Sequence, residues 1–97
     1  MKTQFDITLT LKTSKGLESF AKFFIGNDKA RALAIFKQLQ GLHVVNENNV
    51  LYVDLMETKN GLPVNLDMIS CTLNELTENC RIIIKELFKA RNLEGFG

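Results

Sequence analysis

Asp6, Asp54 and Asp67 are the residues of this chain whose types and spacing point most directly to chemistry. Asn60-Gly61 is the strongest short hairpin signal present, because a type I′ turn needs φ > 0 at both central residues. A two-residue loop there sets Lys59 across from Leu62, and onward Leu55 across from Leu66 and Val53 across from Met68. Asp54 and Asp67 then stand opposite each other on the outward face, where like charges destabilise a sheet unless something compensates them. Asp6 points outward from the first strand and joins them if that strand is adjacent. Three carboxylates on one face would offer oxygen ligands to a hard divalent cation such as Mg²⁺. The plainer account is a pair that is solvated, or balanced by Lys2 or Lys12; a four-residue loop also keeps the faces consistent and separates the pair. No cofactor is expected.

A second group points to association. Val45, Val50, Tyr52 and Met56 fall on the face opposite the expected core, and an apolar patch on an otherwise polar sheet marks a protein contact. Ile82 points nearly opposite the main stripe of its helix, amid Glu78, Arg81, Lys85 and Lys89, and Phe23 sits off its own stripe. These residues predict a protein partner or a homodimer.

Other reactive residues are isolated. His43 has no second His and no Cys in local ligand spacing, so a surface or capping role suits it. Cys71 and Cys80 are too far apart along one helical element for a disulfide and too few for a metal, and two unpaired thiols suit a reducing cytosol. Ser14, Ser19 and Ser70 sit in no nucleophile elbow, and no glycine-rich phosphate loop is present. The net charge of +1 argues against binding nucleic acid by bulk electrostatics. The order of elements resembles, in outline, double-stranded-RNA-binding domains, whose last helix opens on lysines that meet phosphates. Here that position reads Thr72-Leu73-Asn74-Glu75, so the sign is wrong and no nucleic acid is expected. No stretch approaches eighteen apolar residues, and the N-terminus lacks a signal-peptide run, so no membrane is expected either.

The elements that must position these residues are read from periodicity. Thr72–Asn92 is the organising helix: Thr72 and Glu75 form a capping box, Cys71 and Leu76 a hydrophobic staple. Leu73, Leu76, Cys80, Ile83, Ile84, Leu87 and Ala90 make its apolar stripe. Gln4–Lys12 alternates as a strand with Phe5, Ile7, Leu9 and Leu11 inward. Leu17, Phe20, Ala21, Phe24 and Ile25 recur at helical spacing behind Ser14 as N-cap. Gly26-Asn27-Asp28 ends that helix and starts a second with Ala32, Ile35, Phe36 and Leu39 inward, stopped by Gly41; one kinked helix is the alternative. His43-Val44-Val45 is a short doubtful strand, Asn46–Asn49 a loop, and Glu94–Gly97 a loose tail. Val50–Glu57 and Leu62–Ser70 complete a hairpin.

The expected architecture over residues 1–97 is a single α+β domain. It is a two-layer sandwich with a mainly antiparallel sheet of three or four strands, helices on one face, and the order β-α-α-(β)-β-β-α. Strand order stays open. The expected function is a non-catalytic, cytoplasmic protein-interaction module, with a homodimer as one form. The alternative is a small ligand-binding or metal-assisted enzyme domain using Asp6, Asp54 and Asp67 or a pocket between sheet and helices.

Overall fold

The structure is a computed structural model that describes residues 3–43 and 49–96, with the backbone alone for 91–96. The elements run β1 (Thr3–Thr13), β2 (Gly16–Gly26), α1 (Lys29–Lys37), β3 (Leu51–Lys59), β4 (Leu62–Cys71) and α2 (Leu73–Phe96). A hairpin followed by a helix thus occurs twice. The four strands form one antiparallel sheet in the order β2-β1-β3-β4, so β1 and β3 lie side by side in the middle and each hairpin fills one half. The fold is α+β. Val45 and most of the doubtful strand lie outside the described residues. Its neighbour Leu42 makes an isolated bridge to Ser70 on the outer side of β4.

One correction concerns Gly16–Gly26, which is strand β2 and not a helix. Two bulges mislead the periodicity. The pairing of β1 with β2 slips between Leu9 and Thr10 and again between Phe5 and Asp6, leaving Phe20 and Ile25 as extra residues. Each insertion breaks the alternation of faces, so the apolar residues mimic helical spacing. Gly16, at φ 112°, closes the β1–β2 turn. The Thr13 hydroxyl supports it, accepting from the Lys15 N–H (3.1 Å) and donating to Glu18 Oε2 (2.6 Å).

Other elements follow the chemistry expected of them. Asn60 (φ 54°) and Gly61 (φ 83°) take the left-handed conformations of a type I′ turn. Asp28 caps α1 by accepting from the Ala30 N–H at 3.0 Å. The capping box forms: the Thr72 N–H donates to Glu75 Oε1 (2.9 Å) and the Glu75 N–H to Thr72 Oγ1 (3.2 Å). Residues 94–96, expected as a loose tail, continue α2.

Phe5, Ile7 and Leu9 of β1, Ile25 of β2, Val53 and Leu55 of β3, and Ile69 of β4 join Ala32, Ile35 and Phe36 of α1 and Leu76 and Ile83 of α2 in one buried cluster. Cys71, Cys80 and Leu87 pack against it. Burying each large aliphatic side chain contributes roughly 1.5–3 kcal/mol.

The stripe of α2 is rotated from the one expected. Leu73 and Ile84 are exposed, Ile82 is half-buried, and Asn79 is 0% exposed. Asn79 explains the rotation. Its Oδ1 accepts from the Gln40 N–H (2.6 Å) and its Nδ2 donates to the Gln40 carbonyl (2.8 Å), as a neighbouring strand would. A buried carboxamide needs such partners, and meeting both turns the helix toward residues 38–42. The next residues are stitched to β4, where Leu42 and Ser70 exchange backbone hydrogen bonds of 2.9 and 2.8 Å.

Candidate functional site

Two surfaces can hold function. The first is the sheet face that carries Asp6, Thr8 and Thr10. Pairing register puts Leu17, Ser19, Lys22 and Phe24 of β2, and Tyr52, Asp54 and Met56 of β3, on the same face. A groove of about 430 Å³ runs over it, with every lining residue drawn from the four strands. The middle of its floor is polar and shielded: Asp6 is 3% exposed, and Thr8 and Thr10 are also buried. Asp6 receives a long hydrogen bond from Gln4 Nε2 (3.4 Å). Asp54 accepts from the Thr10 hydroxyl at 2.9 Å. Partial burial pushes the Asp54 carboxyl above the ordinary carboxylate range, and the Thr10 hydrogen bond offsets only part of that.

Asp67 does not join this group. The β3–β4 ladder slips between Leu55 and Met56, so Leu66 is an extra residue, Leu55 faces Asp67, and Asp54 faces Met68. The expected pairs of Leu55 with Leu66, Val53 with Met68 and Asp54 with Asp67 are therefore corrected by one position. Asn65 holds the bulge, its Nδ2 reaching the carbonyls of Asp67 (3.0 Å) and Leu55 (3.4 Å). One residue of slip moves a side chain to the other face, which takes Asp67 away from Asp54. Asp67 instead lies 3.3 Å from His43 Nε2 through both carboxylate oxygens, an exposed pair. Among the described residues no three His, Cys, Asp or Glu side chains converge to hold a metal ion.

The residues expected at an interface are dispersed. Val50 is exposed. Tyr52 is 4% exposed and donates its hydroxyl to the Asn49 carbonyl at 3.0 Å. Met56 lines the groove, and Ile82 is half-buried on α2. Phe23 stands across from Ile7 and packs against the core.

The second surface is an exposed edge of the apolar stripe of α2. Leu73, Ile84 and Phe88 are 69%, 55% and 65% exposed. At 3.6 residues per turn they fall within about 60° of one another around the helix axis. Sequence reasoning put Leu73 and Ile84 in the core and left Phe88 unassigned. The available signal was Asn79, which stands between Leu76 and Ile83 where an apolar residue would continue the stripe.

Cys71 and Cys80 are free thiols. Burial, then the nearby Glu75 carboxylate and Cys80, push the Cys71 thiol up to about 11. Burial raises Cys80 as well. Neither has the lowered pKa of a nucleophilic cysteine. No helix among the described residues is long and apolar enough to cross a membrane. Comparison with models of protein families, with curated proteins and with solved structures finds no match.

Proposed function

We propose that this domain is a non-catalytic cytoplasmic module that works by binding another protein, the chain itself included, through the outward stripe of α2. The exposure of Leu73, Ile84 and Phe88 along one edge of a helix stripe whose adjoining residues fill the core carries this reading. An apolar stripe wider than the core covers has an edge left to bury. Both helices are read as one layer over the Phe5, Ile7 and Leu9 face, as in a two-layer sandwich. Nucleic acid and membrane are not among the partners proposed, since the net charge is +1. A photo-crosslinking residue in place of Ile84 is expected to give a discrete protein adduct that Phe88→Asp abolishes, with none from the same probe at Lys15. No adduct at Ile84 refutes the reading.

One observation favours a second reading, a ligand-binding or metal-assisted enzyme domain. The groove holds one buried carboxylate, Asp6, and one half-buried carboxylate, Asp54, beside the hydroxyls of Thr8, Thr10, Ser19 and Thr58. Such a floor suits a small ligand with a positive charge. A ligand that binds only the native state raises the melting temperature. Millimolar Mg²⁺ or Ca²⁺ that leaves the melting temperature unmoved removes the metal form of this reading.

A further inference from the structure

We infer that the occupant of the α2 stripe is a second copy of this chain, docked as an antiparallel pair of α2 helices about a two-fold axis. The inference rests on the reading of α2 as an association surface. Spacing along the helix carries it. Leu73 and Phe88 are equidistant from a point between Cys80 and Arg81, and Thr77 and Ile84 are equidistant from the same point. A two-fold axis there sets Leu73 against the partner's Phe88, and Thr77 against the partner's Ile84, each contact occurring twice. Leu73 and Phe88 are separated by about 22 Å along the helix, so the contacts span four turns.

Charge agrees with this arrangement. Glu78 and Lys85 lie on one flank of the stripe, centred one residue beyond the same point. The axis brings each Glu78 within about 3 Å, measured along the helix, of the level of the partner's Lys85. Opposite charges therefore meet twice. The two Arg81 side chains come near each other at the axis, and each is offset by its own Glu78 at 3.6 Å.

Shape agrees too. Leu73 forms one wall of a groove of about 500 Å³ whose other apolar walls include Leu42, Val50 and Leu51. Leu42 and Val50 are themselves exposed. The partner's Phe88 comes to this wall, so each copy supplies both a projecting ring and a place to seat it. With Leu73, Ile84, Phe88, Leu42 and Val50 covered in both copies, the buried area is on the order of 1,000 Å², the lower bound for a specific interface.

The sheet edges are poorer places to associate. β2 carries bulges at Phe20 and Ile25, and β4 carries one at Leu66. Pro63 has no N–H to offer and Leu42 already pairs with Ser70. Such devices block strand pairing between chains. An isologous helix pair also closes at two copies, whereas β2 on β4 would propagate.

Sedimentation equilibrium at millimolar chain concentration tests the inference. The expected species is twice the 11.0 kDa chain mass. Phe88→Asp is expected to give a monomer with an unchanged circular dichroism spectrum, because Phe88 is exposed, while Phe88→Leu keeps the dimer. Glu78→Lys and Lys85→Glu should each weaken the dimer several-fold, and the double exchange should restore it. A wild-type monomer overturns the inference. A dimer that survives Phe88→Asp overturns it as well. An Ile84 adduct made only with a protein other than this chain leaves the module reading standing and overturns this inference, and no adduct at all overturns both.

Discussion

Replacing Asn79 with alanine tests the packing of α2 at its least expected position. Asn79 is wholly buried and both of its hydrogen bonds go to the backbone of Gln40. Each such bond contributes about 1 kcal/mol net, and an orphaned buried polar group costs a further 1–3 kcal/mol. Gln40 is exposed, so water can reach part of what the carboxamide releases and the second cost is only partly incurred. The expected loss is therefore about 2–3 kcal/mol, a large share of the 5–15 kcal/mol typical of a domain. For a chain of this size that corresponds to roughly 8–24 °C in melting temperature. Urea unfolding followed by circular dichroism measures it, and hydrogen exchange at the Gln40 amide shows whether the loss is local. Asn79→Asp sharpens the test. It keeps the acceptor, removes the donor and buries a carboxyl whose folded pKa must exceed its unfolded value near 3.9. The folded state then binds more protons, so this variant loses stability as pH rises from about 4 and recovers it on acidification. An Asn79→Ala loss below about 0.5 kcal/mol with an unchanged m-value would refute the account of how α2 is oriented.

Three further outcomes are expected. Gly41→Ala should destabilise the fold by about 1–3 kcal/mol in urea melts, because its Cβ would come within 2.5 Å of the Ser70 carbonyl oxygen, at a φ of 156°. Asp54→Asn should match or exceed wild-type stability at neutral pH and lose that advantage below about pH 4. Asp54 has a raised folded pKa, so its ionisation in the folded protein costs stability as pH rises above the ordinary carboxylate value of 3.8. Alkylation of Cys71 by iodoacetamide at pH 8 should be far slower than that of an unhindered thiol, and should accelerate toward pH 11, since the thiolate is the nucleophile.

What was legible in the chain is what local chemistry alone decides. The strands β1 and β3, the Asn60-Gly61 turn and the Thr72–Glu75 box each depend on residues within a few positions of one another, and each forms; the half-buried pattern expected of β1 does not, because Asp6, Thr8 and Thr10 are buried as well as Phe5, Ile7 and Leu9. β2 was misread because Phe20 and Ile25 are inserted between paired positions, and an insertion is visible only against the neighbouring strand. The same holds for Leu66, which carried Asp67 away from Asp54 and dissolved the expected carboxylate trio. The orientation of α2 depends on Gln40, 39 positions before Asn79, so periodicity within the helix could not reveal it. The sheet patch expected from Val50, Tyr52 and Met56 is dispersed, since Tyr52 is buried against Asn49 and Met56 lines the groove, whereas Leu73, Ile84 and Phe88 are exposed because of how α2 is turned.

The recurrence of a hairpin and a helix on either side of the β1–β3 seam bears on how the polypeptide can be divided. Residues 3–37 and 51–96 each hold one complete unit, and within the sheet only the pairing of 3–11 with 51–59 joins them. Neither fragment alone can shelter the greasy side of its own strands, since the cluster around Ile7, Val53, Ile35 and Ile83 draws on both. Gln40 and Leu42 hold Asn79 and Ser70, so they must stay with the first unit; a cut beyond them turns an intramolecular docking step into a bimolecular one and leaves the docked surfaces intact. Two separately produced fragments should therefore find each other and regain the native spectrum when mixed, which makes this small fold a natural split reporter.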